Sequence, residues 1–285
     1  MSLVEGKNCL ITGATSGIGR STALALSEMG ANIFFIARNP QKAEELTEEI
    51  ERVSGKSPHS IIADLSSFKQ IEKAAEEYKS LNKPIDVLLN NAGIMNTERR
   101  ITEDGLEEVF AVNHLAYFLL TNLLIEKILE SGLKRVVNVS SDAHRFLKSM
   151  NFNDLQSEKE FKMFVAYGQS KLANILFTKK LSSLYQEEGL TTNCLHPGFV
   201  STSIGAQNEN FAFFASLIRW VSPLFAKPSD KGAETSIYLC SSKEVSSISG
   251  EYFIDCKKAK ITNAAKSKED AERLWKISLE LTGLN

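Results

Sequence analysis

Short apolar segments rich in β-branched residues alternate along the chain with longer segments whose apolar residues recur at helical spacing. Strands that alternate with helices favour parallel pairing, with helices packed on both faces of one sheet. The pattern therefore predicts an α/β fold built on a doubly wound parallel sheet of about seven strands. The predicted strands are Asn8 to Thr12, Asn32 to Ala37, His59 to Ala63, Asp86 to Leu89, Arg135 to Ser140, Thr192 to Leu195 and Gly250 to Asp255.

A capping residue and a proline mark the start of one of the predicted helices. Asn39-Pro40 supplies an N-cap followed by a first-turn proline, so a helix should start directly after the second strand. With 285 residues and no linker or repeat, the chain is expected to form a single domain over residues 1–285. The predicted helices are Gly19 to Met29, Gln41 to Val53, Phe68 to Lys79, Leu106 to Glu130, Ala166 to Glu187 and Lys268 to Leu281.

Charge and cysteine content narrow the range of partners. The 33 Lys and Arg residues nearly balance the 35 Asp and Glu residues, so neither nucleic acid nor an anionic membrane is expected as a partner. The four cysteines lie far apart and none has metal-ligand spacing, which predicts a cytoplasmic location and no metal site. No segment reaches the roughly 20 uninterrupted apolar residues of a membrane span. A small-molecule substrate is the expected partner.

A glycine-rich turn joins the first strand to the first helix. Glycines permit positive φ and close backbone approach, and the amides at a helix N-terminus favour an anionic phosphate. The turn therefore predicts a dinucleotide site, although a tight turn that binds nothing has the same pattern. The residues expected to surround the pyrophosphate are Gly13, Thr15, Ser16, Gly17, Ile18 and Gly19.

Polar or small residues also follow the next three strands. Arg38 ends the second strand where an acidic residue would bind a ribose 2′-hydroxyl, and a guanidinium suits a 2′-phosphate instead. This favours NADP(H) over NAD(H), with a solvated surface charge as the alternative reading and with Ser16 and Arg20 as further candidate contacts. Asp64-Leu65 and Asn90-Asn91-Ala92-Gly93 end the third and fourth strands. The first of these segments is equally consistent with a surface turn.

Tyr167 and Lys171 lie four residues apart on a predicted helix, so their Cβ atoms should be about 5 to 6 Å apart on one face. An ammonium stabilises a neighbouring phenolate, so the pair is predicted to transfer protons near neutral pH. Ser140 and Ser141 end the fifth strand on the same sheet edge and could donate to a substrate oxygen. Either serine is chemically able, and a chance Y-x-x-x-K pattern is the alternative.

Asn113 and His114 lie inside an apolar helical segment. An amide there needs a hydrogen-bonding partner, so Asn113 is either a satisfied buried residue or part of a site. His114 is expected to pack or cap and not to act as a base. After the sixth strand, Pro197-Gly198 forms a turn that cannot continue the strand.

Taken in order, these motifs resemble the short-chain dehydrogenase/reductase family. They are T-G-x-x-x-G-x-G, D-L, N-N-A-G, N, S-S, Y-x-x-x-K and P-G-x-V-x-T, and they run from Thr12 to Thr202. The resemblance implies a Rossmann fold and an oxidoreductase that moves a hydride between a nicotinamide and a carbonyl or alcohol. Segments such as Asn91-Ala-Gly-Ile-Met and Ser170-Lys-Leu-Ala-Asn are similar to the retinol dehydrogenase-like branch, near WW-domain oxidoreductases and protochlorophyllide reductases.

The resemblance also implies a role for each motif. It implies catalytic roles for Tyr167, Lys171 and Ser141, the last in preference to Ser140, and it implies that Asn113 holds a water between Lys171 and solvent. It implies that the Asn90 side chain faces the cofactor while Asn91 braces the sheet, and that Asp64 touches the adenine. Together with the glycine turn and Arg38, the implied cofactor contacts are Asp64, Leu65, Asn90, Ala92, Gly93, Tyr167, Lys171, Pro197, Gly198, Val200 and Thr202.

An aromatic-rich segment near residues 203–228 is predicted to be a substrate lid. Its composition favours a lipophilic aldehyde, ketone or retinoid-like substrate. A helix packed into the core, a partner surface or a membrane-touching patch would have the same composition. The insert from Arg145 to Val165 is a candidate for the opposite wall. The resemblance allows a homodimer or a homotetramer. The alternative function is a non-enzymatic NADP(H)-binding regulatory protein on the same fold, which would be expected to lack a catalytic residue.

Overall fold

A mostly parallel sheet runs through a computed structural model of the protein, which describes residues 2–198 and 229–284. Within these residues eight strands pair in the order β3-β2-β1-β4-β5-β6-β7-β8, and only the last pair is antiparallel. The doubly wound sheet is confirmed, with the short β8 added to the seven predicted strands. The strands are β1 (Asn8–Thr12), β2 (Asn32–Ala37), β3 (His59–Ile62), β4 (Val87–Asn90), β5 (Arg135–Val139), β6 (Thr191–His196), β7 (Tyr252–Ile254) and β8 (Lys257–Lys258).

Helices connect the parallel strands. As predicted, α2 starts at Pro40, and the Asn39 side chain accepts a hydrogen bond from the Lys42 amide at 3.0 Å. The helices are α1 (Gly17–Glu28), α2 (Pro40–Ser54), α3 (Phe68–Ser80), α4 (Glu108–Phe110), α5 (Ala116–Leu123), α6 (Ile125–Leu129), α7 (Met163–Leu184), α8 (Ser229–Ser241), α9 (Asn263–Lys266) and α10 (Lys268–Thr282). Shorter 3-10 turns cover Asp142–Phe146 and Lys243–Val245.

The helix predicted from Leu106 to Glu130 is interrupted. A π-helical turn over Ala111–Leu115 separates α4 from α5, and Leu124 separates α5 from α6. A π-helical turn inserts one residue into the helical repeat and is frequent at functional sites. Here it contains Asn113 and His114, so the interruption falls at the two polar positions that the sequence singled out within this helix.

Two apolar layers bury the faces of the sheet. On β1, Leu10 packs into the layer with α3, α5, α7 and α10, whereas Cys9 and Ile11 pack into the layer with α1, α2 and α8. Neighbouring side chains of a strand point to opposite faces, which explains this division. The strand order reverses between β1 and β4, and ligands of such sheets bind beyond the carboxyl ends of the strands at this reversal.

Candidate active site

The glycine turn after β1 is packed tightly against the segment after β4. Gly13 has a φ of +66°, and a Cβ there would lie 2.7 Å from the Ala92 Cα. The Asn91 side chain donates hydrogen bonds to the carbonyl oxygens of Thr12 and Gly13, each at 3.0 Å. Gly17 also has a positive φ, of +51°. The backbone of the turn is therefore fixed by glycine geometry and by one amide from the neighbouring strand.

The turn ends at the N-terminus of α1. Ser16 is the N-cap in extended conformation, is exposed, and makes no side-chain capping bond. Thr15 is half-buried, while Ile18 and Gly19 are buried beneath the turn. First-turn amides that the N-cap side chain leaves uncapped, together with the helix dipole, suit an anionic group. These residues fit the pyrophosphate of a dinucleotide.

Arg38 and Asp64 face each other beyond the ends of β2 and β3. Arg38 Nη1 lies 3.6 Å from an Asp64 carboxylate oxygen, and the Arg38 side chain is 53% exposed. The structure brings these two predicted site residues together as an ion pair, with Leu65 buried next to Asp64. Arg20 instead pairs with Glu49 at 2.6 Å. Of the two candidate arginines, Arg38 therefore lies beside another predicted cofactor residue, whereas Arg20 does not.

The expectation that the Asn90 side chain faces the cofactor is wrong. Asn90 is fully buried, and its amide donates to the Thr121 hydroxyl at 3.0 Å and to the Asn138 side chain at 2.9 Å. The side chain enters the core because successive residues of a strand alternate between faces, and both faces of this sheet are covered. Asn91, as described above, holds the glycine turn.

Ala92 and Gly93 lie between the glycine turn and the predicted catalytic residues. The Ala92 amide donates to the Thr12 hydroxyl at 3.1 Å, and the Ala92 carbonyl accepts from the Tyr117 hydroxyl at 2.6 Å. A Cβ at Gly93 would lie 3.4 Å from Lys171 Nζ. The small residues after β4 therefore let the backbone pass close to the lysine.

Tyr167 and Lys171 lie on α7 with their functional groups together. Lys171 Nζ is 5.5 Å from the centre of the Tyr167 ring and donates to the Val139 carbonyl at 3.1 Å. Burial lowers the pKa of Lys171 to about 7. Burial also raises the pKa of Tyr167 to about 12, an effect that the hydrogen bond with Ser141 partly offsets. The sequence predicted a tyrosine made more acidic by its neighbour, and in the protein alone desolvation wins over that effect.

The two serines after β5 have different surroundings. The Ser140 hydroxyl is buried and donates to the Lys171 carbonyl at 2.7 Å. The Ser141 hydroxyl faces the Tyr167 phenol, whose pKa it lowers, and accepts from the Ala143 amide at 3.1 Å. Because an oxygen that accepts still has its own proton to donate, Ser141 can serve a substrate oxygen beside Tyr167. The geometry favours Ser141 for the active site and a structural role for Ser140.

We expect Ser141→Ala to lower kcat about 100-fold, because removing one preorganised donor to a developing oxyanion has an effect of that order. Ser140→Ala is the matched control, since it removes a hydroxyl from the neighbouring residue that faces α7. It should lower the melting temperature while kcat stays within about threefold, because the net contribution of such a hydrogen bond is about 1 kcal/mol. Steady-state kinetics and thermal unfolding of both variants measure the contrast. Equal losses of kcat would contradict this assignment.

Asn113 and His114 are both fully buried. The Asn113 side chain accepts from the Ile94 amide at 2.7 Å and donates to the Ile94 carbonyl and the Ser170 hydroxyl, each at 3.0 Å. His114 packs against Phe110 and Phe177, and burial lowers its pKa to about 3. His114 is therefore a neutral packing residue. Asn113 lies beside the lysine, since a Cβ at Gly93 would be 3.3 Å from its side-chain oxygen.

The loop after β6 is described only in part. Pro197 and Gly198 are half-buried, and Gly198 has a φ of +86°. Val200, Thr202 and the predicted lid near residues 203–228 lie outside the described residues. Two side chains not predicted for the site adjoin Lys171: Tyr117, whose ring centre is 5.8 Å from Nζ, and Asn174, which shares the Val139 carbonyl with it. The position of Asn174, three residues after Lys171 on one helix face, was a usable signal.

Known proteins match this fold and this order of motifs. The profile of the short chain dehydrogenases matches residues 7–211. Retinol dehydrogenase 12 of Mus musculus is 41% identical over 283 residues, covering 99% of this chain and 88% of the relative. Retinol dehydrogenase 14 of Homo sapiens is 39% identical over 296 residues, with the same coverage. A crystal structure of an uncharacterized protein from Mycobacterium Paratuberculosis is 30% identical, with a TM-score of 0.76, covering 98% of this chain and 94% of that chain.

This chain belongs to the short-chain dehydrogenase family. Within the family it falls in the retinol dehydrogenase-like branch, as the resemblance of its motifs predicted. It is accordingly an oxidoreductase of CH–OH and C=O groups, in a family that uses nicotinamide cofactors.

The predicted cytoplasmic location is wrong. Retinol dehydrogenases 11 to 14, among the relatives that match nearly the whole chain, are membrane-associated microsomal enzymes. The prediction rested on the spacing of the cysteines, which does not report where an enzyme of this branch resides. Among residues 2–198 and 229–284, no helix has the length and apolar character to cross a membrane.

Proposed function

We propose that the protein is an NADP(H)-dependent oxidoreductase that interconverts a lipophilic alcohol and its aldehyde or ketone, with retinoid-like compounds as the substrate class. The observation that carries this proposal is the cluster of Ser141, Tyr167 and Lys171 at the carboxyl end of β5, beside the glycine turn. When bound, the cofactor supplies or accepts the hydride. The residues of the chain have to bind the substrate oxygen, orient it and move one proton.

In the reducing direction, Tyr167 donates its hydroxyl proton to the substrate oxygen, and Ser141 donates a hydrogen bond to the same oxygen. A phenol with a pKa of about 12 stays protonated at neutral pH, so the protein alone is ready to act as the acid. In the oxidising direction Tyr167 must first lose that proton, which becomes easier as pH rises. We therefore expect reduction to be favoured near neutral pH and oxidation to increase toward alkaline pH.

Lys171 is proposed to replace the proton that Tyr167 gives up. With a pKa of about 7, its amine can both hold and release a proton at neutral pH. Asn113 is proposed to keep this lysine in place, because its side chain is fixed by Ile94 and Ser170 beside the same glycine. In these roles Tyr167 and Ser141 touch the reacting atoms, whereas Asn113 acts through Lys171.

The cofactor is proposed to lie across the carboxyl ends of β1, β2 and β4. The glycine turn and the uncapped start of α1 would bind its phosphates, and Ala92 and Gly93 would let it pass close to Lys171. Asn90 would contribute through its backbone only, because its side chain is buried in the core. Asp64 and Leu65 would lie at the adenine end, and Pro197 and Gly198 at the nicotinamide end.

The preference for NADP(H) is proposed to depend on Arg38. Replacing Arg38 by leucine should raise the KM for NADPH by about 10- to 100-fold, because a charge-assisted hydrogen bond contributes about 1.5–3 kcal/mol. The KM for NADH should change by less than about threefold, since NADH has no 2′-phosphate. Arg20→Leu is the matched control, because it removes the same charge from an arginine already paired with Glu49. Similar changes in both variants, or a wild-type preference for NADH, would count against this role.

The substrate class is supported by the relatives and by the described surface near the site. The full-length relatives are named retinol dehydrogenases, and retinol is a lipophilic alcohol. Phe146 is 78% exposed shortly after Ser141, and Phe164 is 55% exposed one turn before Tyr167. Exposed aromatic side chains next to a catalytic cluster suit an apolar substrate.

The direct test follows NADPH oxidation with all-trans-retinal, a medium-chain aliphatic aldehyde and a small polar ketone, with NADH in parallel. We expect turnover of the two lipophilic compounds, little with the polar ketone, and a preference for NADPH. Tight NADPH binding without turnover of any compound would overturn the enzymatic proposal and favour a regulatory protein. A preference for the polar ketone would overturn the substrate class alone.

A further inference from the structure

Asn174 is a fully buried asparagine one turn after Lys171 on α7. Its side-chain amide donates to the Asn113 carbonyl at 2.9 Å and to the Val139 carbonyl at 3.2 Å. Carbonyl oxygens only accept hydrogen bonds, so the nitrogen of this amide must face them and its oxygen must point away. The orientation of Asn174 is therefore fixed by two main-chain groups of the active site.

The oxygen of Asn174 fixes His114 in turn. His114 Nδ1 lies 3.4 Å from that oxygen, and His114 Nε2 lies 3.0 Å from the Ser278 hydroxyl on α10. Since an amide oxygen accepts, Nδ1 must carry the proton of the neutral ring, and Nε2 must accept from Ser278. A chain of buried hydrogen bonds thus runs from the C-terminal helix to the Asn113 carbonyl and to the Val139 carbonyl, the second of which also accepts from Lys171.

The Val139 carbonyl is shared between two donors. Lys171 Nζ donates to it at 3.1 Å, and the Asn174 amide donates to it at 3.2 Å. The Asn113 carbonyl also accepts from Asn174, and the Asn113 side-chain oxygen accepts from the Ile94 amide. An ammonium has three protons to donate, so Asn174 competes with Lys171 for the Val139 carbonyl.

We propose that Asn174 is a positioning residue that occupies the Asn113 and Val139 carbonyls and thereby keeps Lys171 able to give up its proton. The inference rests on the proposed function, because a lysine matters as a proton carrier only in an enzyme that consumes one proton per turnover. Asn174 acts through Lys171 and does not touch the substrate.

The expected effect of Asn174 on the protonation of Lys171 follows from the groups that face the lysine side chain. Among the described residues, the Tyr167 phenol on α7 and the Tyr117 phenol on α5 are the titratable groups with their rings against its ammonium, and His114 from the π-helical turn faces Asn174. Burial alone lowers the pKa of Lys171 to about 7. The Asn174 N–H group directed into the Val139 carbonyl, which also accepts from the ammonium, opposes the positive charge of Lys171. Removing this N–H group would leave that carbonyl to the lysine and favour its charged form.

The test is Asn174→Leu, which keeps the approximate size of the side chain and removes both donors. We expect the titration midpoint of Lys171, followed by ¹⁵N NMR of its side chain and assigned with Lys171→Met, to rise by about one pH unit. The turnover number for alcohol oxidation at pH 7, in which Lys171 must first be free of its own proton, should fall about fivefold and recover as pH rises, while the KM for the cofactor stays within about twofold. A more strongly held proton is released only at higher pH, which gives the direction of both changes.

Asn193→Leu is the matched control. Asn193 is also a buried asparagine whose side chain bonds only main-chain groups, the Ile248 carbonyl at 2.6 Å and the Glu251 amide at 3.1 Å. Its loss should lower the melting temperature and leave the Lys171 titration unchanged. If Asn174→Leu does not fold, Asn174→Asp keeps the shape, removes both donors, and should raise the midpoint at least as far.

An unchanged Lys171 midpoint in the Asn174 variants, or an equal shift in Asn193→Leu, would overturn the inference. Because the NMR titration needs neither cofactor nor turnover, it is informative even if the wild-type protein reduces none of the tested carbonyls. In that case the proposed function is wrong, and the NMR titration alone decides whether Asn174 affects Lys171.

Discussion

Tyr167→Phe is expected to lower the turnover number about 10³-fold or more with every accepted substrate. The substitution removes the proton donor, and it also removes the hydroxyl that faces Ser141, so both groups at the substrate oxygen are affected. General acid catalysis contributes about 10²- to 10⁴-fold, and an oxyanion donor contributes about 10²- to 10³-fold. Cofactor affinity, measured by fluorescence titration with NADPH, should change little because the ring and Lys171 remain.

Tyr78→Phe provides the control for loss of a buried phenol hydroxyl. Tyr78 is fully buried, and its hydroxyl donates to the Pro84 carbonyl at 3.2 Å, on the α3 side of the core. This variant should lose about 1 kcal/mol of stability and keep its turnover number. Full activity of Tyr167→Phe would show that another group supplies the proton, and the roles proposed for Ser141 and Lys171 would have to be revised with it.

The sheet and the glycine turn could be predicted because they depend on local patterns. Buried parallel strands appear as short apolar segments, and the turn between β1 and α1 needs residues that tolerate positive φ, as Gly13 and Gly17 do. The reversal of strand order then brings the ends of β1 and β4 together without further information. The order of the strands and the position of the glycine turn in the sequence are therefore enough to predict where a dinucleotide site would lie.

The direction of individual side chains could not be predicted in the same way. Asn90 and Asn91 are chemically identical neighbours, and because both faces of the sheet are covered, alternation does not say which one enters the core. The choice between Ser140 and Ser141 likewise depends on which hydroxyl meets the Lys171 carbonyl. These questions are decided by contacts between residues distant in sequence, which a single sequence does not contain.

The pKa values of Tyr167 and Lys171 could not be predicted from the sequence either, and the reason is different. The spacing of Tyr167 and Lys171 predicts that they are close, but the pKa of each also depends on burial. Lys171 is only 2% exposed, and desolvation lowers the pKa of an amine while it raises that of a phenol. The four-residue spacing indicates the charge interaction alone, which would lower the pKa of Tyr167, whereas burial raises it.

The second large effect is expected at Gly19, where the glycine turn meets α1. A Cβ on Gly19 would collide with the Gly13 carbonyl oxygen and with the Asn91 side-chain nitrogen that holds the turn. Gly13 cannot move away easily, because it packs against the Ala92 backbone. Gly19→Ala should therefore force the turn away from the helix and destabilise the protein by about 1–3 kcal/mol, the usual cost of overpacking.

The same displacement should disrupt the phosphate site, because the amides of the turn are positioned by these contacts. We expect the dissociation constant for NADPH to increase at least about tenfold, equivalent to about 1.4 kcal/mol, and the melting temperature to fall. Gly132→Ala is the matched control, since the nearest atom to its added Cβ is the flexible Lys7 Nζ at 3.9 Å. Wild-type stability and affinity in Gly19→Ala would mean that the turn and α1 can separate freely. The close packing of Gly13, Gly19 and Asn91 would then have no part in binding the cofactor.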